Sequence, residues 1–348
     1  MTIGRREFII GAAGIAGFMS VRVKGVQAAD VKYRIALSNG WVGSEWRTQM
    51  IEEAQAAAAA WADKGVGIEV LVQSKNVDVQ GQIADVGNFI NDGVNAIIIN
   101  PNSPTAFNPT FAKAKAAGIA VLSTDGEIAS GDAIFVGIDQ KEWAKLSSRW
   151  LADKIGGKGS IVCINGIAGH PANQARVEGY TEVFAGYPDI KIVNEANADW
   201  DPAKAQQTAA TLLSTYPDLT AIWTQDGMAE GVWRAIDGAG KAATMPATGE
   251  LRNSFVKQWA ANGWTSAASI NPPGCMANAV HVAVTMMEGG MLRDGALGGP
   301  NANALYVPTR LITSDDIAAV ADGMKDMPDF HFVSLVLSPD EIKAAFFA

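Results

Sequence analysis

Histidine and cysteine are scarce here: 348 residues carry three of one and two of the other. The histidines, at 170, 281 and 331, share no metal-ligand spacing, and Cys163 and Cys275 are too few for a disulfide framework. Neither a metal nor a cofactor is expected. Positive charge is also in short supply. Twenty-seven Lys and Arg stand against 36 Asp and Glu, a net charge of −9 with no basic stripe, which argues against nucleic acid as a partner. Several enzyme signatures are missing as well. No G-x-G-x-x-G follows the first apolar run, and there is neither a Walker lysine loop nor a G-x-S-x-G elbow. The cluster Gly11–Gly17 imitates a nucleotide loop but follows no strand. No catalytic residue is assigned, and a doubly wound enzyme is the weaker alternative. The apolar run Phe8–Met19 covers 12 residues, too few to cross a membrane.

What is present suits a soluble globular chain of two ordinary domains: 48% of the residues are hydrophobic, and there are 36 Gly. Met1–Ala28 reads as an address. Arg5-Arg6-Glu7-Phe8 opens it, the apolar run follows, and Val26-Gln27-Ala28 offers a small-residue cleavage site. The arginine pair with Phe two positions later resembles a Tat export signal. Export to the periplasm is therefore expected, with the mature chain starting near Ala29.

From Tyr33 onward, short apolar strands alternate with amphipathic helices. The runs Tyr33–Ser38, Gly67–Gln73, Ala96–Asn100 and Ile119–Thr124 are separated by helical stretches such as Val77–Asn91, where Val79, Ile83, Val86 and Ile90 share one face. The pattern restarts at Ala133–Ile138 and continues through Ser160–Ile164, Lys191–Ala196, Ala221–Thr224 and Met245–Gly249. Repeated βαβ units imply parallel sheets covered on both faces. The fold class is α/β, with two similar lobes and a binding cleft between them. Cys163 falls in a core strand, so its thiol is expected to be buried.

The stretch Ile161–Tyr180 carries the most information. The apolar strand Ile161–Ile164 leads into a loop with Gly166, Gly169 and Pro171, and Arg176 falls about one turn into the next helix. Open α/β sheets bind ligands at the C-terminal ends of strands, and a guanidinium there can donate paired hydrogen bonds to neighbouring oxygens of one molecule.

GIAG followed by a helix carrying Arg176, Glu178, Gly179 and Tyr180 resembles the ribose-binding group of periplasmic solute receptors, the sugar-binding subunits of ABC importers. The resemblance runs from about Lys32 to Val307. It implies a type I periplasmic binding protein fold: two doubly wound parallel-sheet lobes joined by three hinge crossings. The crossings would fall near Gly126–Gly131, Asn271–Gly274 and Tyr306–Pro308. Lobe 1 would then take residues 29–130 and 272–306, lobe 2 residues 131–271, and residues 307–348 would form a tail covering an exposed edge, with Phe332–Leu337 as an edge strand. The resemblance also implies a monosaccharide or sugar alcohol as ligand and the membrane permease subunits of an ABC importer as partners, with the receptor a monomer. A periplasmic sensor for chemotaxis or an autoinducer is the alternative. A regulator of the lactose-repressor family would need a helix-turn-helix where the export signal stands.

Site residues follow from the same likeness. The loop after the first strand holds Asn39, Trp41, Glu45, Trp46 and Arg47. Gly43-Ser44-Glu45-Trp46-Arg47 is similar to a segment of galactofuranose-binding relatives whose Arg contacts sugar, so that role passes to Arg47, with Asn39, Glu45 and Trp46 beside it. Asp125 ends another strand at the family's Asp position, although Gly126-Glu127 replaces the family's following Arg. Trp200 would form a second stacking wall. Gln225 or Asp226 would reach the ligand, Glu250 or Asn253 would fill the family's acidic position, Asn271 would supply an amide, and Asn173 would sit beside Arg176. Lying at strand ends and first helical turns, Arg47, Asp125 and Arg176 are expected to matter for binding and little for stability.

Overall fold

The computed structural model describes residues 30–348; the expected export signal lies outside the described residues. The chain opens with β1 (Val31–Asn39), α1 (Glu45–Ala60), β2 (Gly67–Ser74), α2 (Val79–Asn91), β3 (Ala96–Asn100), α3 (Asn108–Ala116), β4 (Ala120–Ser123) and β5 (Ile134–Gly137). It continues with α4 (Gln140–Lys154), β6 (Lys158–Asn165), α5 (Pro171–Ala185), β7 (Asp189–Asn197), α6 (Pro202–Thr215) and β8 (Leu219–Thr224). Next come α7 (Ala229–Gly238), β9 (Ala247–Thr248), α8 (Asn253–Asn262), β10 (Ser266–Ser269), α9 (Cys275–Met287) and β11 (Ala304–Tyr306). The tail adds β12 (Leu311–Thr313), α10 (Ile317–Gly323) and α11 (Pro339–Phe346).

Two six-stranded sheets result, ordered β11-β5-β4-β3-β1-β2 and β12-β10-β9-β8-β6-β7. All pairings are parallel except β10 with β12. The central strands β3, β6 and β8 are largely apolar on both faces because both are covered, while the edge strands β2 and β7 carry polar residues. In β3, Ile97 and Ile99 face one buried cluster while Ala96 and Ile98 face another; in β6, Val162 and Ile164 alternate in the same way with Ile161 and Cys163. The Cys163 thiol is buried and free. Ile98 and Cys163 belong to one continuous core that spans both lobes and also holds Trp143 and Cys275.

One expected placement is overturned. The strand near Ala133–Ile138, expected to open the second lobe, pairs with β4 and β11 in the first sheet. A ten-residue link, residues 124–133, brings β5 alongside β4 as a parallel neighbour, and the crossing comes after it, between β5 and α4. The remaining crossings between the sheets run from β10 to α9 and from β11 to β12. The tail also differs from expectation. The added edge strand is Leu311–Thr313, while residues 332–337 have no regular structure beyond one bridge between Phe332 and Arg252. The chain then returns to the first lobe, where α11 packs on α9.

Candidate functional site

The C-terminal ends of both sheets face one cleft. Its hollow measures about 420 Å³, counting the part open to solvent. Trp41, Trp46, Trp200 and Phe332 supply aromatic faces; Arg47, Asp125, Arg176, Asp226 and Asn271 supply charge and amide.

Local structure places each group. Ser44 caps α1 by accepting from the Arg47 N–H, which puts Arg47 in the first turn facing inward, 3% exposed. Its guanidinium donates to Asn39 Oδ1 at 2.6 Å, lies 3.8 Å from Asp125 Oδ2, and has Trp41 at 5.3 Å from ring centre to Cζ. Asp125 sits in the left-handed region at φ 62°, a conformation Asp tolerates through its short polar side chain. It accepts from Asn100 Nδ2 at 3.1 Å and from Gln140 Nε2 at 3.3 Å. Burial raises the Asp125 pKa, against the pull of Arg47 and then Arg176. Burial also lowers that of Arg47, opposed by Asp125.

On the second lobe, Arg176 stacks over Trp143 at 4.0 Å. It donates to Gln140 Oε1 at 2.8 Å, Gln225 Oε1 at 3.3 Å and Asp226 Oδ1 at 2.5 Å. Gln225 also accepts from Trp200 Nε1 at 2.9 Å and donates to Asn173 Oδ1 at 2.7 Å. Asp199 and Trp200 both have φ 56°. Two consecutive non-glycine residues in this region are held by the surrounding bonds and turn the indole over the strand end. Gly166 makes room for that indole, because a Cβ there would meet the Trp200 ring. Asn271, on the second crossing, ties the lobes together. Its Nδ2 donates to Asp226 Oδ2 at 2.8 Å, its Oδ1 accepts from Gln140, and its carbonyl accepts from Trp46 Nε1 at 2.9 Å.

Of the residues expected here, Trp46, Arg47, Asp125, Arg176, Trp200, Asp226 and Asn271 line the cavity. Asn39, Asn173 and Gln225 stand one layer back and hold Arg47, Trp200 and Arg176 in place. Glu45 is exposed and pairs with Arg252 Nη1 at 2.6 Å across the two lobes. Glu250 is not among the lining residues. It is 1% exposed, neither carboxylate oxygen closes a hydrogen bond of normal geometry, and the Gly227 N–H exerts only a minor pull on it. Burial raises its pKa to about 7 against the attraction of Arg252. Asn253, the other candidate at that step, is buried with its amide donating to the carbonyls of Met327 and Pro328.

Four participants were not expected. Gln140 bridges Asp125, Arg176 and Asn271, but as the first residue of a helix it looks like ordinary capping sequence. His170 caps α5 and faces Arg47. Trp41 was named beside Trp46 in the loop but not assigned to the site. Phe332 arrives from the tail, and nothing in its local pattern points to a cleft. Among the described residues, no three His, Cys, Asp or Glu side chains are grouped to hold a metal ion, and no helix is long and apolar enough to cross a membrane.

Comparison with known proteins agrees with this geometry. Residues 35–291 match the family model described as periplasmic binding protein domain. The chain is 30% identical over 235 residues to the xylitol-binding protein of Mycolicibacterium smegmatis, covering 67% of each chain. It is 28% identical over 177 residues to the ribose import binding protein of Bacillus subtilis, covering 50% of this chain and 57% of that one, so this alignment spans little more than half of the relative. An ABC transporter solute binding protein from Thermobispora bispora superposes with a TM-score of 0.77 at 26% identity, covering 90% of this chain and 94% of the other. Two parallel-sheet lobes around a polar, aromatic-walled cleft, with a family match over most of the length, make this chain a member of the periplasmic binding protein family.

Proposed function

We propose that this protein is an exported receptor that closes its two lobes around a monosaccharide or sugar alcohol and delivers it to the permease subunits of an ABC importer. The observation that carries this reading is the convergence of Arg47, Asp125, Arg176, Asp226 and Asn271 between indole faces in the interlobe cleft. Sugars present hydroxyl groups in a ring plane and C–H bonds on its faces. Charged donors and acceptors serve the first, through charge-assisted hydrogen bonds, and Trp serves the second. The xylitol and ribose relatives support the ligand class. The receptor works as a monomer, reaches the periplasm through the arginine-pair signal and loses it near Ala28. The sensor alternative has no observation in its favour.

Isothermal titration of the mature chain against pentoses, hexoses, furanoses and polyols tests the ligand class. Micromolar or tighter binding of at least one is expected; heat-silent titrations across the whole panel, from folded protein, overturn the reading. Changing Arg5 and Arg6 to Lys tests the export route, with precursor accumulating in the cytoplasm as the expected result.

A further inference from the structure

Beside the ligand cavity lies a second hollow of about 490 Å³, counting its open part. Trp41 and Arg47 line both, so the two adjoin. Both lobes build it: Val77 and Asn102 come from the first, Ile167, Ala168 and His170 from the second. Its first-lobe wall is fixed by hydrogen bonds. Asn39 Nδ2 donates to the Trp41 carbonyl at 2.7 Å, the Val77 N–H to the Gly40 carbonyl at 3.0 Å, and Asn102 Nδ2 to the Val77 carbonyl at 3.0 Å.

The two cavities differ in chemistry. The first offers two carboxylates and two guanidiniums. The second has no carboxylate among its lining residues: Trp41, Val77, Ile167 and Ala168 line it beside Arg47, Asn102 and His170. The polar atoms of these three are already engaged, Arg47 with Asn39 and His170, Asn102 with the Val77 carbonyl, and His170 with the Ala172 N–H. A fully hydroxylated ring placed there would leave most of its hydroxyls without charged partners, and unmet polar groups cost binding. A compact apolar group loses nothing there and gains by leaving water. We infer that the cleft takes a glycoside: the sugar ring sits among Asp125, Arg176 and Arg47, and a small apolar aglycone passes Trp41 into the second hollow. This inference rests on the sugar-receptor reading and widens its ligand class from free sugars to substituted ones.

The test is calorimetry on the mature chain with the tightest-binding reducing sugar of the panel, its methyl and phenyl glycosides in both anomeric forms, and a disaccharide of the same sugar. Burying roughly 60 Å² of aglycone corresponds to about a factor of ten in affinity. One phenyl anomer is therefore expected to bind about tenfold tighter than the free sugar. Val77→Trp and Ala168→Trp, which fill the hollow, are each expected to erase that gain while the free sugar stays within about twofold of wild type. The inference is overturned if both anomers of both glycosides bind no better than the free sugar, if the gain survives both substitutions, or if both substitutions weaken free sugar and glycoside alike. A disaccharide preferred over the phenyl glycoside overturns the apolar assignment. Binding confined to sugar alcohols, which have no anomeric centre, overturns it too. If no sugar binds at all, the receptor reading itself has failed.

Discussion

Arg47 Nη2 and His170 Nε2 face each other across the cleft at 3.1 Å, one from each lobe. The other ring nitrogen of His170 accepts from the Ala172 N–H at 3.3 Å as the cap of α5. Burial, with Arg47 and Arg176 nearby, holds the imidazole pKa well below its usual range, so the ring is neutral and has one lone pair. Two donors compete for that lone pair, and protonation removes it. A depressed pKa in the closed form means that acid works against closure. The stability of the closed state is complete above about pH 6.5 and declines as pH falls below it. Ligand affinity is therefore expected to drop about tenfold from pH 7.5 to 5.5, and the drop should vanish in His170→Asn. Parallel profiles for the two proteins would count against this role.

Arg176 is tied into the structure more deeply than its position on a first helical turn suggested. It is 1% exposed, and truncation leaves Asp226, Gln140 and Gln225 facing a hole beside Trp143. Arg176→Ala should lower stability by about 2–4 kcal/mol, as loss of one member of a buried pair does, and weaken sugar binding by more than tenfold. The earlier expectation of little change in stability is thereby revised. Chemical denaturation decides it: an unchanged midpoint with normal slope would show that the network relaxes at no cost.

Asp125→Ala, by contrast, removes a carboxylate whose ionised form burial already penalises. Binding is expected to fall by ten- to a few hundred-fold, with the hydrogen-bonding value of a charged group at roughly 1.5–3 kcal/mol. Wild-type affinity in this variant, measured by titration, would remove Asp125 from the site.

Glu250 makes stability depend on pH in the opposite direction to His170. The folded state binds its proton more tightly than the unfolded chain does, with a pKa of about 7 against an ordinary value of 4.5. Its cost is therefore absent below about pH 4.5 and grows until pH passes about 7. Glu250→Gln should be nearly neutral at pH 4 and stabilising by roughly 1–3 kcal/mol at pH 8, with ligand affinity unchanged. Urea unfolding at the two pH values checks this; equal effects at both would mean that the side chain is not buried as a proton-binding group.

Phe332 comes from the tail to line the cavity, and Gln49 holds it there. The Gln49 amide accepts from the Phe332 N–H at 2.9 Å and donates to its carbonyl at 3.0 Å. Neighbouring residues bond to both lobes: the Val333 N–H donates to the Leu251 carbonyl, and the Leu337 N–H to Asn278 Oδ1. Phe332→Ala should weaken binding by about five- to fiftyfold and lower stability by about 3–5 kcal/mol. Calorimetry with unchanged affinity would reduce the tail to scaffolding.

The strands and their alternation were legible because Ile97–Ile99 and Ile161–Ile164 are apolar on both faces, a local property. Arg47, Asp125, Arg176 and Trp200 were legible because each follows directly on a strand end or helix start. What escaped was non-local. Nothing in Ile134–Gly137 tells which sheet it joins, since β4 and β6 are both near in sequence and equally apolar. Phe332 lies 132 residues beyond Trp200 in the numbering, and only the fold brings it to the cleft. Glu250 looked like a ligand residue because strand-end carboxylates often are; burial away from the cavity is invisible in a sequence.

The interleaving of the chain also dictates an order of assembly. β5 waits for β11, its partner on the outer side, which is about 170 residues away, and α9 waits for α11 near the very end. Each sheet gathers five strands from one continuous segment, residues 31–137 and 158–269, and takes its sixth, β11 or β12, from beyond residue 303. On a ribosome the earlier-made lobe therefore waits far longer than the later-made one for its edge strand, and its helix α9 stays uncovered until α11 is made. Any synthesis halted before Ala304 leaves that edge exposed, the kind of surface on which unfinished chains pair with one another.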